Sequence, residues 1–187
     1  MRFLRLFIIL FCSSIFLFYS SAMANEEAKY EVIQKNEIYE VRKYSDRLAV
    51  ETFESNQNSG FRKLFNYISG NNKLNTKISM TTPVTRTKKN GNMTMQFYLP
   101  SKFNKKNAPN PSNKDVQVIN VEGGHYAAIV YSGRTTDKNF IKHKDILEKE
   151  LIKNNILILS QPIRATYNGP FTLPNLRRNE AMFKVDF

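Results

Sequence analysis

The side chains that could do chemistry in this sequence are few, and they form no strong catalytic or metal-binding motif. The two histidines, His125 and His143, lack the His-x-x-x-His spacing of a zinc site. There is no phosphate-binding glycine loop and no serine elbow, and the only cysteine is Cys12. His125 follows two glycines, which favours an exposed turn over the alternative of an axial ligand to haem iron. His143 fits a half-buried position at a helix edge.

The acidic residues Glu40, Glu51 and Glu180 fall in or beside predicted strands. If two of them faced the interior of a barrel, they could act as a general acid and base. Ion pairs with Arg42 or Arg178 are the simpler expectation, because buried charges are usually paired. The many tyrosines are each expected to pack in the core or between strands.

The first half of the chain predicts two strands, a helix and two further strands. Residues 37–44 and 47–54 alternate as strands do, with a turn at Ser45-Asp46. Residues 59–70 place Phe61, Leu64, Phe65 and Ile68 on one helical face, and Ser59 and Gly70 suit its two ends. Residues 78–87 and 93–100 read as strands, and the polar, proline-bearing segment 101–115 as a surface loop.

The same order recurs in the second half. Residues 116–133 predict two strands around a Gly123-Gly124 turn, and 136–155 predict a long helix with Phe140, Leu147 and Leu151 on its inner stripe. Residues 156–168 and 179–187 are predicted to supply the further strands of this second unit. We therefore predict an α+β fold, a distorted antiparallel β-barrel of two similar ββαββ halves with two packed helices.

The first 24 residues have the three parts of a secretory signal peptide. Arg2 and Arg5 precede an apolar run, and Ala22 and Ala24 occupy the small-residue positions before a cleavage site. The run is shorter than the roughly 20 residues of a membrane span, although an uncleaved anchor stays an alternative. We expect cleavage after Ala24, a mature domain of residues 25–187, and export to a periplasmic or secreted location.

The charge of the chain is strongly positive, at +12. Loss of Arg2 and Arg5 with the signal peptide would leave +10. The lysines are scattered and form no compact basic run, which with export argues against nucleic acid as a partner. Anionic ligands or membrane surfaces stay open.

Several segments together resemble the SOUL haem-binding protein family. They are YEVRKY at 39–44, GFRKLFNYISGNN at 60–72, KISMTTPV at 77–84, MQFYLP at 95–100 and GPFTLPNLRRNEAMF at 169–183. The Met-Thr-x-Pro-Val step and the Arg-Arg-Asn-Glu run are the specific ones.

The resemblance implies non-covalent haem, or another tetrapyrrole, in an apolar groove beside the first helix. The implied cofactor-binding residues are Arg62, Lys63, Leu64, Tyr67, Met80 and Lys43. In part of the family, basic residues around the first helix contact the haem propionates, and two such places are Asn58 and Asn66 in this chain. The resemblance implies that the nearby Arg62 and Lys63 substitute for them electrostatically. Lys43 stands where another branch has an axial histidine. The alternative of equal weight is that Pro83 only shapes the start of a strand.

Three functions follow. The first is an exported, non-catalytic haem carrier or buffer. The second is a binding module for another amphipathic anion or for an anionic membrane surface. The third is a hydrolase-like enzyme that uses Glu40 or Glu180. The sequence shows no nucleophile–base pair that would support this third function.

Overall fold

The computed structural model describes residues 25–54 and 59–187. The predicted signal peptide and Asn58 lie outside these residues. The strands are β1 (Glu26–Glu27), β2 (Tyr30–Lys35), β3 (Glu40–Tyr44), β4 (Arg47–Phe53), β5 (Thr81–Thr82), β6 (Val84–Lys89), β7 (Asn92–Tyr98), β8 (Val116–Val121), β9 (Gly124–Tyr131), β10 (Leu157–Ile158), β11 (Ile163–Thr166) and β12 (Asn179–Asp186). The helices are α1 (Ser59–Ile68) and α2 (Asp137–Lys153), and a short 3-10 turn spans Pro174–Leu176.

Ten of the strands form one curled antiparallel sheet, in the order β2-β3-β9-β12-β11-β6-β7-β4-β8, with β10 beside β12. A separate parallel pair joins β1 to β5. The sheet curls into a half-barrel with both helices on its convex face. The predicted α+β fold with a curved antiparallel sheet and two packed helices is thereby confirmed.

The two halves of the fold exchange their first strands. Strand β3 leaves the first half and pairs with β9, and β8 leaves the second half and pairs with β4. The connections β3–β4 and β8–β9 are therefore crossovers between halves. The two strands predicted around Gly123-Gly124 are present. They do not pair with each other as a hairpin, because β8 pairs with β4 and β9 pairs with β3 and β12.

The two crossovers touch each other at Gly123. A Cβ atom there would lie 2.4 Å from the carbonyl oxygen of Tyr44 and 2.8 Å from the carbonyl carbon of Ser45. Asp46 accepts hydrogen bonds from the Gly123 amide at 2.9 Å and from the Asn120 side chain at 3.0 Å. Glycine is required at this point because the two backbones leave no room for a side chain.

Helix α2 covers the half of the sheet that contains β9 and β12. Thr136 caps its start by accepting from the Asn139 amide, and Leu147 and Leu151 are fully buried against the sheet. Phe140 packs at the edge of the same cluster. The inner stripe predicted from the helical spacing is confirmed.

Helix α1 covers the other half through Leu64, Tyr67 and Ile68, which pack with residues of β4, β7 and β8. Gly70 ends the helix with a φ of 115°, which residues other than glycine rarely adopt. The following loop is fixed by Asn72, a buried side chain that donates to the carbonyls of Tyr67 and Thr76.

The concave face of the sheet holds tyrosines and a buried ionic cluster. Glu180 accepts hydrogen bonds from Arg42 and from the Tyr167 hydroxyl, each at 2.9 Å, and pairs with Arg178 at 2.8 Å. Burial acts to lower the pKa of Arg42, but the facing Glu180 carboxylate outweighs it and holds that pKa above its ordinary value. The expectation that Glu180 would pair with arginines is confirmed.

Within the described residues, no helix is long and apolar enough to cross a membrane.

Candidate functional site

An open groove of about 480 Å³ lies on the convex face of the sheet, where the start of α1 approaches β6, β11 and residues 167–177. This volume lies within the roughly 300–1,000 Å³ typical of small-molecule sites. Its apolar wall is formed by Phe61, Met80, Val84 and Met95. The Phe61 ring packs edge-on against Phe97 at 5.5 Å between centroids and beside Phe65 at 6.0 Å, so an aromatic cluster supports the wall.

The floor of the groove contains two arginines in direct cross-strand register. Arg86 of β6 and Arg164 of β11 are Cα partners in the antiparallel pair that joins the two halves. Like charges in such a position repel each other. Each guanidinium has its own carboxylate, Glu54 at 2.6 Å for Arg86 and Asp137 at 2.7 Å for Arg164.

The carboxylate of Asp137 is exposed, whereas the side chain of Arg164 is largely buried and stacks over the Phe140 ring at 4.5 Å. The hydrogen bond from Arg164 lowers the pKa of Asp137 below its usual range. Because Asp137 is solvated, an anionic ligand that enters the groove can compete with it for Arg164.

A third arginine, Arg177, closes one end of the groove. Its guanidinium donates to the Thr172 carbonyl at 2.8 Å, to the Pro170 carbonyl at 2.5 Å and to the Thr135 hydroxyl at 3.5 Å. These acceptors hold the guanidinium in place but do not neutralise it. Among the described residues, no carboxylate pairs with Arg177, so the groove retains a net positive charge.

The Met80–Val84 segment contributes to two surfaces. Met80, Thr82 and Val84 line the groove, while Pro83, after a cis peptide bond, is buried on the other side of the segment. Thr81 donates its hydroxyl to the Tyr98 carbonyl at 2.5 Å, which fixes the segment to β7. The segment therefore lines a groove and leads into β6 through Pro83, and a ligand-binding role for it stays a prediction.

Of the six binding residues implied by the family resemblance, Met80 alone lines this groove. Leu64 and Tyr67 point into the core beneath α1, where Tyr67 donates its hydroxyl to the Pro109 carbonyl at 2.7 Å. Arg62 is exposed, and Lys63 pairs with Asp115 at 2.7 Å. A direct ligand role for these four stays a prediction, and in this conformation Leu64 and Tyr67 serve packing.

Lys43 lies on β3 in the half of the sheet away from α1, opposite His125 of β9. The histidines also lie outside the groove. The His125 ring packs near Phe187 at 6.0 Å, and the His143 ring stacks on Tyr131 at 4.1 Å with its Nδ1 within 2.7 Å of the Asn139 carbonyl. Over the described residues, no three histidine, cysteine, aspartate or glutamate side chains cluster as metal ligands.

The acidic residues considered for acid–base chemistry are held in ion pairs. Glu40 contacts Lys35 and Arg42, and the hydrogen bond from Lys35 lowers its pKa below the ordinary value despite partial burial. Glu51 accepts from Gln96 at 2.7 Å and pairs with Lys89 at 3.1 Å. These contacts give the carboxylates structural partners.

Sequence reasoning missed the three groove arginines. Alternation along β6 places Val84 and Arg86 on one face, which is a usable signal, and Arg177 belongs to the Arg-Arg-Asn-Glu run already noted as specific. Their convergence depends on the β6–β11 pairing, for which the sequence carries no local signal.

The comparisons with known proteins agree with the fold. A family model described as SOUL heme-binding protein matches residues 25–184. Among solved structures, the EcmrR C-terminal domain is similar with a TM-score of 0.56 and 13% identity, over 84% of this chain and 98% of that one. A hydrolase from Listeria innocua gives a TM-score of 0.59 at 9% identity, over 82% and 94% of the two chains.

An uncharacterized conserved protein from Listeria innocua gives a TM-score of 0.57 at 9% identity, over 80% of this chain and 92% of that one. Among curated proteins no significant sequence match is found. At identities this low, the solved structures show a shared fold and carry no information on ligand or activity.

Proposed function

Because the chain belongs to the SOUL haem-binding protein family, we propose that it binds haem or another tetrapyrrole without catalysis, as an exported carrier or buffer. The ligand lies in the groove between the starts of α1 and α2. The observation that carries this proposal is Arg177, a guanidinium with no carboxylate partner in the described structure, at the end of a groove whose opposite wall is apolar.

The groove residues suit the two chemical parts of a tetrapyrrole. Phe61, Met80 and Val84 offer an apolar and polarizable surface for the macrocycle face, and thioether and aromatic groups contact such surfaces favourably. Arg164 and Arg177 offer fixed guanidinium groups for the propionates, since arginine binds carboxylates through paired N–H donors.

The iron would gain no histidine ligand from this groove, since His125 and His143 lie elsewhere. The groove lining includes side chains with lone pairs suited to iron, the sulfur atoms of Met80 and Met95 and the hydroxyl of Tyr167, although that hydroxyl already donates to Glu180. The described residues contain no cysteine for covalent attachment. Haem supplies the chromophore and the redox-active iron when bound, and the chain residues hold and orient it through face contacts and charge.

Export is part of the proposal and rests on the charged, apolar and small-residue pattern of residues 1–24. N-terminal sequencing of the protein from its host should begin at Asn25. A chain that begins at Met1 would remove export from the proposed function and leave haem binding intact.

The binding test is a haem titration followed by the Soret band. The wild-type protein should give a saturable Soret shift at micromolar concentration. An R164Q/R177Q double variant should bind at least tenfold more weakly, because a hydrogen bond to a charged group is worth about 1.5–3 kcal/mol. A K142Q/K149Q variant, which removes two exposed α2 charges away from the groove, is the matched control. Equal affinity in all three proteins would overturn the groove assignment.

A second candidate function is contact with an anionic membrane surface. Residues 169–176 form a loop at the rim of the groove, where Phe171 is 97% exposed, Leu173 62% and Leu176 67%. Arg177 follows directly, and the chain carries +12 in total. Exposed apolar side chains beside basic ones are typical of segments that enter the lipid interface.

Vesicle co-sedimentation tests this second candidate. The protein should pellet with phosphatidylglycerol vesicles in low salt, and the F171S/L173S variant should stay largely in the supernatant. Haem affinity should not change in this variant, so the two functions are separable. Binding that is equal in wild type and variant would assign membrane contact to general charge alone.

A further inference from the structure

Among the described residues, one partly buried arginine outside the lining of the haem groove has no polar partner. Arg47 at the start of β4 has a buried Nε atom without a hydrogen-bond partner. Within the described part of the chain, its guanidinium makes no ion pair. Its neighbours are aromatic rings, since its Cζ atom lies 4.4 Å from the centroid of Tyr44 and 4.2 Å from that of Tyr98.

The two rings fix the guanidinium. Tyr44 and Tyr98 are both buried, and Tyr44 packs edge-on against Tyr126 at 5.5 Å. A guanidinium between two tyrosines gains cation–π energy and loses side-chain freedom. Those contacts satisfy the faces of the planar group but not its N–H edge, which needs an acceptor in the plane.

Arg47 borders two open spaces. Arg47 lines an interior cavity large enough for about one water molecule, of about 20 Å³, and also an adjoining groove of about 420 Å³. The segment Glu26–Ala28 forms one side of this groove and is held there by the β1–β5 pairing. Leu48, Leu99 and Phe103 form its apolar side.

The carboxylates at this groove already have partners. Asp46 accepts from Gly123 and Asn120, Glu26 accepts from the Ser101 amide at 2.8 Å, and Glu27 pairs with Arg178 at 2.9 Å. They leave Arg47 without an acceptor, and their negative field disfavours a multiply charged anion. A singly charged, planar group therefore suits the site best.

We propose that Arg47 binds the carboxylate of a small monocarboxylic acid, whose apolar tail lies along Leu48, Leu99 and Phe103. The planar guanidinium edge matches a carboxylate through two parallel hydrogen bonds. The Glu26–Ala28 segment covers the bound acid. This groove borders the proposed haem groove, since Thr81 and Thr82 line both, and the proposed acid site does not depend on haem binding.

Amide NMR spectra of the full protein, titrated with sodium hexanoate and with sodium acetate at constant ionic strength, test the proposal. Hexanoate should cause saturable shifts at Arg47, Leu48, Leu99 and Ser101. Acetate should bind more weakly, because each buried methylene strengthens binding by roughly fourfold, about 0.8 kcal/mol. Inorganic phosphate, as a partly dianionic probe, should bind more weakly than hexanoate.

Two variants complete the test. R47Q should bind hexanoate at least tenfold more weakly than wild type. R134Q, which removes an exposed arginine elsewhere, should bind hexanoate with wild-type affinity. R47K retains the charge but not the paired donors, so it should bind several-fold more weakly than wild type. The proposal is overturned by equal binding in R47Q, by phosphate binding as tight as that of hexanoate, or by wild-type shifts that cluster at Arg164 instead. If R47Q does not fold, the set of residues whose amide signals shift with hexanoate in the wild-type protein decides whether the acid binds at Arg47.

Discussion

Arg86 and Arg164 face each other directly across the β6–β11 pair that joins the two halves of the fold. Their repulsion is offset by Glu54 and Asp137, which bind one arginine each. The arrangement places two guanidinium groups on the floor of a groove and neutralises them with two carboxylates, of which the exposed Asp137 is the one that a ligand can displace. Binding of an anionic ligand should therefore depend on the acids as well as on the arginines.

The first prediction concerns Asp137. D137N removes the solvated acid that competes for Arg164, so haem affinity should rise about two- to fivefold, in line with the 0–1 kcal/mol of an exposed ion pair. The Soret titration measures it. E122Q, which breaks an exposed pair with Lys184 outside the groove, should leave haem affinity unchanged. Weaker binding in D137N would show that Asp137 supports the site instead of competing with the ligand.

The second prediction separates the two sets of basic residues. Sequence resemblance assigns the propionates to Arg62 and Lys63, whereas the groove contains Arg164 and Arg177. We expect R62E/K63E to weaken haem binding less than R164Q/R177Q, because Arg62 is exposed and Lys63 pairs with Asp115. Thermal melts on the same preparations check folding. A larger loss in R62E/K63E would place the propionates at the helix.

The third prediction concerns the buried pair of Arg42 and Glu180, whose side chains are 1% and 0% exposed. E180Q should lower the free energy of unfolding by about 3–5 kcal/mol, since it removes the fully buried counter-charge of Arg42 and leaves that arginine with Glu40 alone. Urea denaturation measures the loss. E122Q should cost no more than about 1 kcal/mol. A near-zero effect of E180Q would mean that water or another acceptor compensates for the lost charge.

The fourth prediction concerns the crossover contact at Gly123. G123A should lower the free energy of unfolding by about 1–3 kcal/mol or more, because the new Cβ meets the backbone of Tyr44 and Ser45. G169A, where a Cβ would meet nothing within 4 Å, is the control and should change stability little. Equal melting temperatures for the two variants would show that the crossovers can move apart.

The fifth prediction concerns the buried tyrosines at alkaline pH. Burial raises the pKa of Tyr44, Tyr67 and Tyr131 to about 12, above the usual value near 10. A raised folded-state pKa gives stability that is complete below pH 10 and is lost as the pH rises towards 12. Absorbance at 295 nm should therefore show part of the tyrosines ionising only with unfolding. Full ionisation by pH 11 in the folded protein would contradict it.

Much of the local structure could be predicted from the sequence, because it depends on neighbours along the chain. The 3.6-residue spacing of Leu147 and Leu151 predicted the buried stripe of α2, and Gly70 marked the end of α1. The rule that buried charges are paired correctly predicted arginine partners for Glu180. Four of the six binding residues implied by the family resemblance lie on α1. A resemblance identifies matching positions in the sequence, but it does not show what each side chain contacts in this protein.

Only the tertiary structure shows which strands pair with each other across the two halves of the fold. Local alternation at Gly123-Gly124 suits a hairpin equally well, and only the pairing of β8 with β4 and of β9 with β3 shows a crossover. The same pairing pattern brings Arg86 opposite Arg164, although they are far apart in the chain. Register between distant strands is set by the packing of both faces of the whole sheet, so no single segment of the sequence contains it.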